Sequence, residues 1–382
     1  MDFSFNEDQK AIQQTARDFA RSRLAEGYME RESKGLDMAL VREIGEMGFI
    51  GALLPESLGG QGLDHISIGI ITEEISWADH NLAYLPMLSA LNAHIIETHA
   101  RPEVAAEWLP RLCAGEILVA LALTEPQTGS DAAHLSLRAE RRGDRYLING
   151  EKTSITFSDQ ADLCITFART GPEQGAGGVS AFLIPLKQKG VTTTRFKDLG
   201  TRLIGRGSIF FEDVEVPAEM MLGSEGRGFS QVMRGFDFSR ALIGLQCLGP
   251  AAASVAETWQ YVIDRKAFGS PLAKFEGVSF PLAEAETKIA AARLLCYNTL
   301  WLRDQGKPHT AEAAMCKWWA PKIACEIIQD CLLLHGHSGY SSDLPHQQRL
   351  RDVLGLQIGD GTAQIMKMII AREKAGRVAV PY

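Results

Sequence analysis

The feature that most constrains the fold of this chain is a double change in hydrophobic pattern. Apolar residues recur at helical spacing from Asn6 to about Gly115, then form short β-branched and aromatic runs, and return to helical spacing from Phe229 to Ala375. Because helical and strand periodicities need different packing layers, each region has to build its own core. The sequence therefore predicts an α+β chain with an N-terminal helical domain (1–117), a middle β-domain (118–228) and a C-terminal helical domain (229–382).

Proline and glycine residues interrupt both helical regions. Apolar residues at helical spacing predict the first helices, and the segment 54–64 interrupts them with proline and glycine. Four helical segments are predicted in this region, around residues 11–20, 40–49, 66–77 and 87–96. Further along, breaks are expected at Gly269-Ser270-Pro271, at Gly306-Lys307-Pro308 and over 336–345.

The middle region reads as a compact β-domain. EILVALAL opens it, and Gly143-Asp144 and Asn149-Gly150 stand between strand-like runs as hairpin signals. The later runs are LCITFAR, VSAFLIPL, VTTTRF and SIFFEDVEVP. Six or seven strands within about 110 residues predict a sandwich or a barrel.

Composition excludes several classes of function. A net charge of −8 disfavours a nucleic-acid partner, and no apolar run approaches the ~18 residues of a membrane span. The start, MDFSFNEDQK, lacks the basic and apolar parts of a signal peptide, and the seven cysteines form no CxxC pair. We expect a cytoplasmic protein with reduced thiols. His335 and His337 are poorly spaced for ligands, so no metal is predicted.

Glycine-rich loops offer no familiar nucleotide motif. GGQG, GAGG and GSEGRG match neither GxGxxG between a strand and a helix nor GxxxxGK[ST], and no GxSxG is present. Surface turns are the better interpretation. A Rossmann domain, a P-loop and a serine hydrolase are thereby disfavoured.

Two kinds of candidate binding group remain. The loop LTEPQTGSD offers hydroxyls of Thr124, Thr128 and Ser130 beside free amides, which suit a phosphate or a heterocycle edge. A capped turn starting at Ser130 or Asp131 explains the same residues. Arg240 and Arg265 have the forked geometry that suits phosphate, although an arginine on a helix is more often a solvated charge.

The stretch LQIGDGTAQIM raises the sharpest question. Asp360 lies between two glycines, just before an apolar helical face formed by Ile365, Met368 and Ile369. Aspartate is a favoured N-cap, so the residues alone favour a helix cap over a catalytic base.

Taken together, these stretches resemble the acyl-CoA dehydrogenase family over nearly the whole chain. The stretches that carry the resemblance, in family order, are LLPESLGGQGLD, ALTEPQTGSDAAHL, INGEKTSIT, FEDVEVP, FDFSR, DRKAFGSPLAKFE, AAMCKWWA, LHGHSGY, LRDVLGLQIGDGTAQI and IIARE. The resemblance implies a C-terminal four-helix bundle and FAD held noncovalently between domains and subunits. It also implies a homotetramer that passes electrons to an electron-transferring flavoprotein.

Residue roles follow from the resemblance. Leu123 and Thr124 would meet the flavin pyrimidine edge, and Ser130 the pyrophosphate and the pantetheine of the substrate. Ile155 and Thr156 would lie against the isoalloxazine, with Thr156 near N5.

The C-terminal region supplies the other contacts that the resemblance implies. Arg265 and Phe268 would hold the FAD of a neighbouring subunit with Gly336 beside it, and Thr362 and Gln364 would also contact FAD. Asp237 and Arg240 would bind the acyl-CoA substrate.

The resemblance also makes Asp360 the catalytic base. A base of this family removes the α-proton of the thioester, a hydride leaves the β-carbon for flavin N5, and a backbone N–H after the base, here that of Gly361, stabilises the enolate. Many members have glutamate at the position of Asp360. Other subfamilies place glutamate two residues after the aspartate of FDFSR, where this chain has Ser239, which cannot act as a base.

Departures from the family pattern suggest the substrate. Gly359 replaces an aromatic residue, Asp360 is one methylene shorter than glutamate, and Ser154 replaces an aromatic residue beside the flavin. These changes open space near the α-carbon, so we hypothesise an alicyclic substrate: cyclohexanecarboxyl-CoA, converted to cyclohex-1-ene-1-carboxyl-CoA in alicyclic acid degradation. A short α-methyl-branched acyl-CoA is the alternative. Glu276 and Leu333 depart from the usual polar residues, which leaves distal FAD contacts unassigned.

Three other functions compete with this one. A flavin monooxygenase of the same fold typically lacks a carboxylate at the base position, so Asp360 argues against it. A non-catalytic flavoprotein would use Asp360 only as a cap. A reductase would run the same chemistry backwards with the same residues.

Overall fold

The computed structural model describes residues 3–173 and 175–379, and its elements follow the predicted order of helices, strands and helices. The N-terminal part contains six α-helices, and a short π-helical stretch, Ala20–Leu24, extends the first. Their bounds are α1 Glu7–Phe19, α2 Tyr28–Lys34, α3 Met38–Glu46, α4 His65–Ala78, α5 Tyr84–His99 and α6 Pro102–Cys113. The four predicted helical segments are confirmed as α1, α3, α4 and α5, whereas α2 and α6 were missed.

Side-chain caps fix where several of these helices begin. Asn6 and Gln9 form a capping box at α1, and the Asp64 carboxylate accepts from the Ser67 N–H at α4. Helices α4 and α5 are buried on most of their surface, unlike the amphipathic α1. The middle of this domain is therefore α4 and α5, and α1 packs against α4.

The middle part is one eight-stranded sheet with the order β6-β7-β3-β2-β4-β5-β8, and β1 also pairs with β4. The strands are β1 Val119–Ala122, β2 Arg138–Arg142, β3 Arg145–Thr156, β4 Leu163–Arg169, β5 Val179–Pro185, β6 Val191–Thr193, β7 Arg206–Pro217 and β8 Met221–Leu222. The two halves of the sheet meet at a single pair, Arg138 with Arg169. Across them the rings of Tyr146 and Phe182 pack edge to face at 4.9 Å. This packing of one half on the other is that of a sandwich, one of the two predicted forms.

One of the two predicted hairpins is wrong. Gly143-Asp144 does join β2 to β3, and Gly143 has the positive φ of 66° that a tight turn needs. Asn149-Gly150 instead lies within β3, where the pairing with β7 shifts register between Ile148 and Gly150. There the Asn149 side chain bonds to Asp213, whose φ is 50°, so the Asn-Gly pair forms a bulge and not a turn.

The C-terminal part is a bundle of long helices. The bundle consists of α7 Gly228–Asp264, α8 Glu276–Asp304, α9 Thr310–Leu334 and α12 Ala363–Ala375. A small hairpin of β9 Lys266–Ala267 and β10 Ser270–Pro271 precedes α8, and the short helices α10 His337–Tyr340 and α11 His346–Leu354 precede α12. The three predicted breaks are confirmed. Helix α7 has 37 residues, which at ~1.5 Å per residue makes it roughly 55 Å long.

One carboxylate joins all three parts. Asp352 on α11 is 0% exposed, and it accepts hydrogen bonds from the Tyr28 hydroxyl, the Asn81 amide and the Thr201 N–H. Nearby, Gly200 lies so close to α11 that an added Cβ would be 2.2 Å from the Arg351 oxygen. The three domains are therefore fixed to one another eight residues before Asp360.

None of the helices in the described residues is long and apolar enough to cross a membrane.

Asp352 generates a prediction about stability and pH. Burial raises the pKa of Asp352 to about 6, against hydrogen bonds that lower it. Because the pKa is raised in the folded state, protonated Asp352 stabilises the fold fully at pH values below the ordinary pKa of aspartate. This stabilisation is lost as pH rises through about 6. Between pH 5 and pH 7.5 the loss amounts to about 1.4 kcal/mol.

The Asp352→Asn variant lacks this titration. We expect it to melt at a lower temperature than the wild type, and the difference should be larger at pH 5 than at pH 7.5. Thermal melts of both proteins across this range check it. A difference that stays constant or widens with pH contradicts the assignment.

Candidate active site

Asp360 does not cap the helix that follows it. The N-cap of α12 is Thr362, whose hydroxyl accepts from the Ile365 N–H at 3.4 Å. Asp360 lies two residues earlier, is exposed, and has a φ of 54°. The cap interpretation favoured by the residues alone is therefore wrong, because Thr362 occupies that position and leaves the Asp360 carboxylate outside the helix.

Three cations surround this carboxylate. The charge of Asp360 acts on Arg206 from β7, Arg240 from α7 and Lys317 from α9, favouring the protonated form of each. Burial opposes this attraction and lowers the pKa of Lys317 to about 8. Arg206 also donates to the Tyr84 hydroxyl at 3.1 Å. Asp360 is thus a carboxylate at the meeting point of groups from all three domains.

Helix α7 presents two buried polar atoms without a partner beside this site. Arg240 is 5% exposed and forms a 3.5 Å ion pair with Asp237, which also accepts from the Thr310 hydroxyl. The Arg240 Nε and the hydroxyl of the neighbouring Ser239 have no hydrogen-bond partner among the described residues. Buried polar groups are nearly always paired, so their open valences indicate that a ligand completes the site.

Two segments of the β-domain lie side by side. The Thr153 N–H donates to the Thr124 oxygen at 2.9 Å, and the Lys152 ammonium donates to the Leu123 oxygen at 2.9 Å. Lys152 also pairs with Glu125 at 2.9 Å, and their side chains are 0% and 1% exposed. Glu125 in turn accepts from the backbone N–H groups of Ser136 and Leu137. This buried ion pair fixes the loop 123–131 against the end of β3.

Backbone strain marks the same place. Ser154 and Phe157 have φ values of 60° and 61°, and they flank the buried Ile155 and the half-buried Thr156. In the adjacent loop, the buried Thr128 hydroxyl has no partner in the described chain. Residues other than glycine hold such conformations only where the surroundings enforce them, and they concentrate at binding sites. Ser130 lies exposed before a 3-10 turn, Ala132–His134, which Asp131 precedes without a side-chain cap bond.

The remaining predicted contacts lie far from Asp360 within one chain. Arg265 follows Arg240 by 25 residues along α7, a distance of roughly 37 Å at the helical rise. Phe268 is 97% exposed with a φ of 51°, and Gly336, with a φ of 60°, begins α10. Within one chain, the predicted contacts therefore fall into two groups, one near Asp360 and one near Arg265. Thr362 and Gln364, at the start of α12, stay with Asp360.

Sequence reasoning missed several groups at the site. Tyr84, Arg206, Lys317 and the Glu125–Lys152 pair were not predicted. The available signal was a lysine placed among apolar residues at position 317, whereas the polar stretch around Lys152 gave no such signal. Within the described residues, no three His, Cys, Asp or Glu side chains are grouped so that they could hold a metal ion.

Comparison with protein families gives three matches in chain order. The description "Acyl-CoA dehydrogenase, N-terminal domain" matches residues 6–116, the middle domain of the same family matches 120–214, and its C-terminal domain matches 226–375.

Individual relatives cover almost the full length. The caffeyl-CoA reductase-Etf complex subunit CarC of Acetobacterium woodii is 34% identical over 96% of this chain and 98% of its own. The short-chain specific acyl-CoA dehydrogenase of Clostridium acetobutylicum is 33% identical over 97% and 99%. The structure of butyryl-CoA dehydrogenase from Megasphaera elsdenii superposes with a TM-score of 0.94 at 33% identity, covering 98% of this chain and all of that one.

The buried Glu125–Lys152 pair generates a prediction. Replacing Lys152 by methionine leaves the Glu125 carboxylate buried without its counter-charge, so we expect a loss of about 3–5 kcal/mol in the free energy of unfolding. Urea unfolding followed by circular dichroism measures it. Lys187, which is 80% exposed and pairs with Asp162, provides the control, and Lys187→Met should change stability by less than about 1 kcal/mol. Equal effects of the two variants would contradict the role given to the buried pair.

Proposed function

Because the chain belongs to the acyl-CoA dehydrogenase family, we propose that Asp360 is the base that removes the α-proton of its acyl-CoA substrate. Members of this family are FAD-dependent oxidoreductases that act on CH–CH bonds, and this chain is one of them. The observation that supports the proposal is the position of Asp360: its carboxylate lies outside any helix, at a φ of 54° between two glycines, and its charge acts on Arg240, the arginine that we propose binds the substrate.

The residues of the β-domain fit FAD. The unpartnered Thr128 hydroxyl and the open space beside Gly129 leave room for a ligand along the loop 123–131. Leu123, Thr124, Ile155 and Thr156 would hold the flavin, and Ser130 would lie at the pyrophosphate. When bound, FAD supplies the acceptor for the hydride that leaves the β-carbon. The strained backbone at Ser154 and Phe157 would set the depth at which the ring rests on Ile155 and Thr156.

The loop around Asp360 also offers a donor for the developing oxyanion. The Gly361 N–H makes no hydrogen bond within the described residues, and Gly361 has a φ of 102°. A free backbone amide directly after the base suits a thioester oxygen that gains negative charge as the α-proton leaves. Arg240 and Asp237 would bind the acyl-CoA from α7, and the open Arg240 Nε is available for it. In this proposal the loop around Asp360 would supply the base and the oxyanion donor, and α7 would supply the arginine that binds the substrate.

We propose that the acyl group is alicyclic, with cyclohexanecarboxyl-CoA as substrate. An added Cβ at Gly359 would meet, among the described residues, only the Gly355 oxygen at 3.8 Å. The resemblance implies an aromatic residue at this position, and the shorter Asp360 would leave more room beside it. An α-carbon that is part of a ring bears one more carbon substituent than that of a linear chain and would use this volume, whereas a linear chain would leave it unfilled. A short α-methyl-branched acyl-CoA is the second candidate on the same ground.

The direction of the reaction has an alternative with a specific observation behind it. The relative from Acetobacterium woodii is named a caffeyl-CoA reductase, and a reductase needs the same base, now as a proton donor. That relative is also named as part of an Etf complex, which supports an electron-transferring flavoprotein as the partner of this chain. The cytoplasmic location stays a prediction.

We also propose a homotetramer. Phe268 is 97% exposed, and its ring meets that of Phe275 edge to face at 6.1 Å, so an apolar surface is left open at the start of α8. Arg265 and Phe268 would contact the FAD of a neighbouring copy from there. Sedimentation of the FAD-loaded protein should give four times the mass of 41.8 kDa.

The proposed substrate generates a prediction about bleaching of the flavin. Mixed without oxygen, cyclohexanecarboxyl-CoA should bleach the flavin absorbance faster than butyryl-CoA does. Asp360→Asn should slow bleaching by about 1,000-fold, because the amide cannot accept the proton. Bleaching by butyryl-CoA alone would retain the family activity and overturn the alicyclic assignment. Unchanged bleaching by Asp360→Asn would favour the non-catalytic flavoprotein, and oxygen use with NAD(P)H would favour a monooxygenase.

The open space beside Gly359 generates a prediction about substrate selectivity. Gly359→Tyr restores the aromatic residue and should lower the ratio of cyclic to linear turnover by about tenfold or more, since the ring fills the volume that the cyclic group needs. Butyryl-CoA serves as the internal control. An unchanged ratio, or faster turnover of the cyclic substrate by Asp360→Glu, would contradict the size argument.

A further inference from the structure

A lysine inside the four-helix bundle binds the loop that carries Asp360. Lys317 on α9 is 1% exposed, and its ammonium donates to the Leu356 oxygen at 2.6 Å and to the Gly361 oxygen at 3.0 Å. Charge-assisted bonds of this length are stronger than neutral ones. The first acceptor lies four residues before Asp360 and the second one residue after it. Lys317 therefore spans the loop from both sides.

The loop needs such a restraint because its backbone is strained. Asp360 and Gly361 have consecutive positive φ values of 54° and 102°, and the first of these is an unfavourable conformation for a residue with a side chain. The other local bonds lie outside the strained pair: the N–H groups of Ile358 and Gly359 donate to the Gly355 oxygen. The bond from Lys317 to Gly361 acts on the strained pair itself.

The charges around Lys317 are consistent with this arrangement. It faces Asp360 from the loop, and Cys247 and Arg240 from α7. Asp360 favours the protonated ammonium, whereas burial, the larger effect, and Arg240 oppose it, so that the pKa lies at about 8. At neutral pH the ammonium is therefore charged in most molecules. Its charge and its hydrogen bonds both act on the base.

We propose that Lys317 is a positioning residue for proton abstraction, which sets the direction of the Asp360 carboxylate and of the Gly361 N–H by holding the carbonyls on either side of them. The proposal rests on the proposed function of Asp360. Lys317 does not touch the substrate; it acts through the loop. A carboxylate displaced by about 1 Å loses on the order of 100-fold in rate, so the loss of the two hydrogen bonds from Lys317 should have a measurable effect.

The experiment separates positioning from support of the fold. The FAD-loaded enzyme is incubated in D₂O with cyclohexanecarboxyl-CoA and with butyryl-CoA, and exchange of the α-hydrogen is followed by mass spectrometry. Binding of each thioester is measured separately by the change in flavin absorbance. Lys317→Met should slow exchange by about 100-fold and change the Kd by less than about threefold. Lys322→Met, an exposed lysine on the same helix paired with Glu326, should behave as the wild type.

A second measurement applies if Lys317→Met does not fold. Exchange by the wild type should fall as pH rises through about 8, where Lys317 loses its charge, and Lys317→Arg should show no such fall because arginine stays protonated. A wild-type profile that is flat through pH 8 overturns the proposal in that case.

The remaining outcomes are distinct. Exchange by Lys317→Met at the wild-type rate overturns the positioning role alone. Equal losses of binding and exchange overturn it as well, because they indicate general disruption. If the wild type exchanges neither substrate, or Asp360→Asn exchanges like the wild type, the proposed function fails and the Lys317 role fails with it.

Discussion

The buried carboxylate of Asp352 is the constraint on which the assembly of this chain depends. It takes one donor from the N-terminal helices, one from the turn before α5 and one from the segment that leads into β7. A buried acceptor that loses these donors is strongly destabilising, so the three domains cannot separate without exposing it. Asp352 also lies only eight residues before Asp360, which has the strained backbone. The position of Asp360 relative to the β-domain is thus set by a contact that takes no part in chemistry.

The elements that the sequence predicted well are those with a local cause. Helices α4 and α5 follow from long apolar periods, and the Gly143-Asp144 turn follows from the need for positive φ. Asn149-Gly150 carries the same local signal but lies opposite Asp213, and pairing with β7 turned it into a bulge. The Asp360 cap failed for a related reason. Asp-Gly-Thr contains two residues that can cap a helix, and the choice between them depends on contacts with α9 that no local pattern encodes.

The long-range polar pairs were beyond the reach of sequence reasoning. Lys152 and Glu125 are 27 residues apart and Lys317 reaches carbonyls 39 and 44 residues away, so spacing carries no sign of either contact. Only Lys317 carries a local signal, since it stands in the apolar run AAMCKWWA, where an unpaired charge is rarely tolerated. The resemblance, and not the residues alone, suggested the roles that we propose for Asp360 as the base and for the segment around Ile155 as a flavin contact.

Strain and helix length together describe how the site is built. Of the six non-glycine residues with positive φ in the described chain, Ser154, Phe157, Phe268 and Asp360 lie in segments that the resemblance assigns to cofactor or base. Ser154 and Phe157 flank the end of β3, which pairs with β7 at Arg206, the residue on which Asp360 acts, and Phe268 lies beyond the far end of α7. A rigid helix holds Arg265 roughly 37 Å from Arg240, so within one chain Arg265 lies far from the arginine proposed to bind the substrate. In the proposed tetramer, Arg265 and Phe268 would contact the FAD of a second copy, and the exposed Phe268 with its strained backbone would then lie on the surface between copies.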